Sequence, residues 1–147
     1  MKHFFGKIRG GVMELSREGQ IAQEGWLKSC ANRADKNLTF GAFVVMPNHF
    51  HAIVILEDKK RNGPSAGRQR KATPRGSLDY TPKSLVHLLR NYKTMVAENA
   101  VQLHPNFAWQ EQFHVHAIRN EKSLRTISEY IRNNPQNWVK DKFYSKS

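Results

Sequence analysis

Val44-Val45-Met46-Pro47-Asn48-His49-Phe50-His51-Ala52-Ile53-Val54-Ile55-Leu56 sets two histidines inside the most water-avoiding stretch of a 147-residue chain. It reads as the end of one apolar strand, Leu38 to Met46, and the whole of the next, His49 to Leu56. Pro47-Asn48 divides them, because proline has no N–H to give a ladder and asparagine tolerates a turn. Strands joined by so short a link pair as antiparallel neighbours. Side chains alternate faces along a strand, so His49 and His51 share one face roughly 7 Å apart along the chain, while Phe50 takes the other.

Outward from this pair, Phe4 to Leu15 reads as a hairpin, FFGKI and VMEL flanking Arg9-Gly10-Gly11, where glycine supplies the positive φ of a tight turn. Ser16 is a plausible N-cap for a helix reaching about Cys30 through Ile21, Ala22, Trp26 and Leu27. Residues 57–80 have no apolar period and carry seven Lys/Arg residues among glycines and prolines, which predicts a flexible basic loop. Thr81-Pro82 then opens a helix with Leu85, Leu88, Leu89, Tyr92 and Val96 at helical spacing. Phe113 to Ile118 alternates as a strand. A last helix runs from Lys122 to Asn133 on a stripe of Leu124, Ile127 and Ile131, and Pro135 ends it. Hairpin, helix, two strands, helix, strand, helix predicts an α+β fold with helices packed on an antiparallel sheet, of which ferredoxin-like arrangements are one kind.

The length suits one domain spanning 1–147. No apolar run approaches the roughly 20 residues of a bilayer span, so the expectation is a soluble cytoplasmic protein with no membrane partner. Cys30 is the only cysteine, so any metal would be held by nitrogen and oxygen. Lys+Arg outnumber Asp+Glu by 24 to 12, a net charge of +12 that favours a polyanionic partner, nucleic acid before others, although a basic solvated surface has the same composition.

His-x-His on a strand can converge on one divalent ion and leave coordination positions open for water or phosphate oxygens. It is also the pattern of two ordinary histidines on a half-exposed strand, and the same holds for His114 and His116. Tyr130 and Asn134, four apart on the last helix, face the same way. The plain alternatives are a half-buried aromatic beside Ile127 and Ile131, and a polar helix end before Pro135.

Taken in order, Pro47-Asn48-His49-Phe50-His51, Trp109-Gln110, His116-Ala117-Ile118-Arg119-Asn120-Glu121 and Tyr130-Ile131-Arg132-Asn133-Asn134-Pro135 resemble the REP-associated tyrosine transposases, from about Phe5 to Trp138. These are single-tyrosine HUH endonucleases, named for histidine, hydrophobic residue, histidine. The resemblance implies that His49, His51 and Asn134 bind Mg²⁺ or Mn²⁺ and that Tyr130 is the nucleophile. It implies a metal-dependent endonuclease and strand transferase, a nicking and rejoining transposase acting on single-stranded or hairpin DNA at the bacterial nucleoid through a 5′-phosphotyrosyl intermediate, as a monomer or a homodimer. Lys59, Lys60, Arg61, Arg68, Arg70, Lys71, Arg75 and Arg119 suit phosphate contacts, and Trp109 or Tyr80 suits stacking on an unpaired base, with a core role for Trp109 equally open. Relatives in that family carry one more strand ahead of the segment matching FFGKI. The resemblance therefore implies a sheet lacking its first strand, with three alternatives open: a true start upstream, another segment or a second chain that satisfies the ladder groups, or a decayed, poorly folding copy. Two other functions fit the residues: a nucleic-acid-binding domain of the same fold without cleavage, and a histidine-ligated metalloenzyme acting on small molecules.

Overall fold

A computed structural model describes residues 2–32, 38–56, 83–109 and 114–144. The fold is α+β. Strands β1 (Gly6–Arg9) and β2 (Val12–Leu15) pair antiparallel from Gly6 opposite Leu15 to Arg9 opposite Val12. Gly10 and Gly11, at φ 57° and 77°, make the two-residue link that a tight hairpin with positive φ at both positions requires. Ser16 caps helix α1 (Arg17–Ala31): its Oγ accepts from the Gly19 N–H at 3.0 Å and donates to the Phe4 carbonyl at 2.6 Å, tying helix to hairpin.

Strands β3 (Leu38–Val45) and β4 (Phe50–Leu56) form the second antiparallel ladder, with Val45 opposite Phe50 and Val44 opposite His51. The register slips between Phe40 and Phe43, a bulge that bends β3 at Gly41-Ala42. The Met46 N–H donates to the His49 carbonyl at 2.9 Å and closes the Pro47-Asn48 link, so the turn read from the sequence is formed and His49 is its last residue. Pro47 also accepts the Phe5 N–H at 3.0 Å, which joins the first hairpin to this turn.

Helix α2 (Lys83–Leu103) buries Tyr92, Val96 and Ala100, as its spacing predicts; the Thr81-Pro82 start and the basic loop at 57–80 lie outside the described residues. Trp26, fully buried, meets Phe40, Phe50 and Tyr92 at 5.1–5.5 Å between ring centroids. The Tyr92 hydroxyl donates to the Ala22 carbonyl at 2.9 Å, so the core phenol keeps a partner. Around these rings Phe5, Ala22, Val45, Val96, Ala100 and Phe107 complete the core that joins α1 and α2 to both ladders.

Helix α3 (Glu121–Asn133) is capped by Asn120, whose Oδ1 accepts from the Ser123 N–H at 2.8 Å, and it packs on β3 and β4. Its stripe is buried at Ile131 and half-buried at Leu124 and Ile127. Pro135 does end the α-helix, and it starts a 3-10 helix, Pro135–Lys140, that carries the chain back towards the His49 turn.

Two sequence expectations are corrected. Residues 114–118 form no strand: alternation supplies a half-buried Val115 but no ladder partner among the described residues. The described strands make two two-stranded ladders instead of one sheet.

Candidate functional site

The two imidazoles do converge. His49 and His51 bring their Nε2 atoms to 3.0 Å, with ring centroids 4.6 Å apart. Asn48 sets the chemistry of this pair. Its Nδ2 donates to the Phe143 carbonyl at 2.9 Å, which fixes the amide orientation and leaves Oδ1 facing His49 Nδ1 at 2.7 Å. An amide oxygen can only accept, so Nδ1 carries the proton and the His49 Nε2 presents a bare lone pair. The His51 Nε2–H is then the donor across the 3.0 Å gap.

Burial drives the His49 pKa from 6.5 down to about 4; the neighbouring His51 and Lys142 add to the fall, and Asp141 opposes it. Burial also lowers His51, again against Asp141. Both rings are therefore neutral at pH 7, the state in which imidazole binds metal. Trp138 and Phe143 wall the pair, with centroids 5.9 and 4.7 Å from that of His49.

Tyr130 meets the pair from α3, its ring centroid 6.0 Å from that of His51, and remains 47% exposed. Its hydroxyl donates to Asp141 Oδ2 at 3.0 Å. Burial and then this bond hold the phenol above its ordinary pKa of 10, so at rest it is protonated. Asp141 also accepts the Phe143 N–H on Oδ1 at 2.7 Å. Burial pushes its carboxyl up, but the Phe143 N–H, the Tyr130 hydroxyl, His49 and Asn134 outweigh it, and the group stays ionised below the ordinary carboxylate value. Asn134 reaches the same place. It is 1% exposed, and both its amide atoms are buried without a hydrogen-bond partner. The amide lies beside both Tyr130 and Asp141 and favours their charged forms as a weak hydrogen-bond donor.

These residues fit a divalent ion. His49, His51 and Asp141 each offer one ligand atom, all within 4.8 Å of one another. Ligands at about 2.1 Å from an ion and at right angles are about 3.0 Å apart, the spacing of the two Nε2 atoms.

Of the residues expected to act, His49, His51, Tyr130 and Asn134 are thus assembled. Trp109 is half-buried at the edge of the core: its Nε1 donates to the Lys93 carbonyl at 2.9 Å, and its ring packs on Phe5, Tyr92 and Phe107, outside the histidine cluster. Arg119 is exposed just ahead of the α3 cap, and His114 and His116 are exposed outside the cluster. Lys59, Lys60, Arg61, Arg68, Arg70, Lys71, Arg75 and Tyr80 lie outside the described residues. Asp141 was missed by sequence reasoning. Its one sign is that it is the only acidic residue after Glu129, standing between Lys140 and Lys142.

Fold and site together define an α+β protein in which two neutral imidazoles, a carboxylate and a phenol meet at one point beside a β-turn. A protein of Haemophilus influenzae described as "Uncharacterized protein" is 32% identical to the chain over 143 residues, 95% of this chain and 77% of the relative. The chain belongs to the same family as that protein. No family model matches the chain, and no solved structure does. Among the described residues no helix is long and apolar enough to cross a membrane.

Proposed function

We propose that the protein is a metal-dependent endonuclease and strand transferase for single-stranded or hairpin DNA, with Tyr130 as nucleophile and Mg²⁺ or Mn²⁺ held by His49 and His51. The observation that carries the reading is the meeting of the His49 and His51 Nε2 atoms at 3.0 Å with the Tyr130 hydroxyl, through Asp141, on the same spot. Four groups drawn from a turn, a strand, a helix and the segment after it meet there, and phosphoryl transfer needs such a nucleophile aligned beside a site that stabilises phosphate charge. A divalent ion bound to the imidazole pair supplies a Lewis acid that polarises the scissile phosphate.

The chain's own groups do the rest. Asp141 keeps the phenol protonated and aimed until substrate arrives. The Tyr130 Oη–P bond then forms as the P–O3′ bond breaks; the phenolic proton passes to the Asp141 carboxylate and from there to the departing 3′-oxygen, which leaves as a hydroxyl while the carboxylate is restored. The product, a 5′-phosphotyrosyl link, keeps the phosphoester for rejoining to another 3′-OH, which makes the reaction transfer and not hydrolysis. The charge of +12 favours a polyanion as substrate and suits a protein working at the nucleoid.

The test is incubation with an end-labelled single-stranded oligonucleotide containing a hairpin. Nicking that requires Mn²⁺, stops in EDTA and is lost in His51→Ala is expected. Binding that ignores EDTA, with no nicking, would instead leave the protein a DNA-binding domain of this fold.

A further inference from the structure

We infer that Asp141 is the carboxylate ligand of the ion and at the same time the acceptor that holds Tyr130, so that metal binding and the placement of the phenol are coupled through one side chain. The inference rests on the reading of the imidazole pair as a metal site and adds to it a residue from outside the histidine motif and outside α3. An Asp141 oxygen lies with the two imidazole nitrogens inside 4.8 Å, little more than the roughly 4.2 Å that separates opposite ligands of one ion.

The carboxylate has capacity for all these roles. Oδ1 takes the Phe143 N–H and Oδ2 takes the Tyr130 hydroxyl, which uses two of its roughly four lone-pair directions and leaves one on each oxygen. Hard divalent cations favour a carboxylate oxygen, and Asp141 is the carboxylate grouped with the two imidazoles.

Its placement is also fixed from the histidine side. Asn48 sets the His49 proton with Oδ1 and grips the Phe143 carbonyl with Nδ2, so one amide registers the segment of residues 141–143 against the turn that bears His49. Ligand supports of this kind are what hold a metal site in shape.

Mn²⁺ titration followed by isothermal calorimetry, with His51→Ala, Asp141→Asn and the exposed-site control Glu129→Gln, tests the inference. Asp141→Asn keeps the shape of the side chain and an oxygen for the Phe143 N–H. Its Mn²⁺ affinity is expected to fall by roughly tenfold or more, with Glu129→Gln unchanged. An unchanged affinity in folded Asp141→Asn, with loss in His51→Ala, overturns the role of Asp141 and leaves the imidazole site standing. Absence of any Mn²⁺ binding by the wild-type chain overturns both. Wild-type NMR with Mg²⁺ needs no variant: the Asp141 carboxylate carbon and the Tyr130 ring are expected to shift along one saturation curve with the histidine rings. Histidine shifts with Asp141 and Tyr130 unmoved would overturn the coupling.

Discussion

Acidification should destabilise this protein through His49 before Asp141 protonates. In the folded chain the His49 ring sits at about 4 against an ordinary 6.5, chiefly through burial, with His51 and Lys142 adding and Asp141 opposing. Between these values the unfolded chain binds a proton that the folded chain refuses, so stability falls as pH falls through this window and levels off below it. At about 1.4 kcal/mol per pH unit, the full loss is about 3 kcal/mol, most of it spent by about pH 4.5. That is a large share of the 5–15 kcal/mol typical of a domain. His51, also depressed by burial, acts in the same direction, whereas Asp141, held below its ordinary value, costs stability only at lower pH. Urea unfolding in EDTA between about pH 7.5 and about pH 4.5 measures the loss in wild type and in His49→Gln. The variant should be less stable at neutral pH and distinctly flatter across the window. Wild-type stability that does not change with pH, or an equal slope in the variant, would refute the burial of a neutral His49.

Gly19→Ala should lower stability by about 2–3 kcal/mol despite alanine's better helix propensity, because a Cβ at this position overlaps the Phe5 carbonyl; a melting temperature at or above wild type would contradict the close approach of α1 to the first hairpin. Asn48→Ala should weaken Mn²⁺ binding about 10–100-fold, measured by calorimetry, since it frees both the His49 proton and the Phe143 carbonyl; an unchanged affinity removes Asn48 from the site. Trp26→Phe should cost less than about 2 kcal/mol in urea unfolding, because it deletes an indole N–H that has no partner in the core; a larger loss would mean that N–H is satisfied.

Much of this structure was legible where local chemistry fixes the backbone. Gly10-Gly11, the Ser16 cap and Pro47-Asn48 each specify a turn or a helix start by what their own atoms permit, and each is found as read. The stripes ending at Val96 and Ile131 placed α2 and α3 for the same reason: burial has a period. Period alone misled at residues 114–118, because a strand also needs a partner, and pairing is not written in the segment itself. The site divides similarly. The histidines share a short motif and Tyr130 and Asn134 share a helix face, so spacing brings each pair together. Asp141 stands eleven residues beyond Tyr130 across a 3-10 helix, and its arrival depends on how Pro135–Lys140 folds back and on Asn48 gripping Phe143. No spacing rule carries that information. Trp109 shows the converse: an aromatic in a motif reads the same from the sequence whatever it packs on, and its contact with Phe5 comes from the fold.

The most direct measurement is tandem mass spectrometry of the protein after incubation with Mn²⁺ and a single-stranded hairpin oligonucleotide. A nucleotide adduct on the peptide carrying Tyr130, resistant to SDS and absent from Tyr130→Phe and from EDTA-treated samples, is expected. An adduct on another residue, or one that survives in Tyr130→Phe, would contradict the assignment of the phenol beside the imidazole pair as the nucleophile.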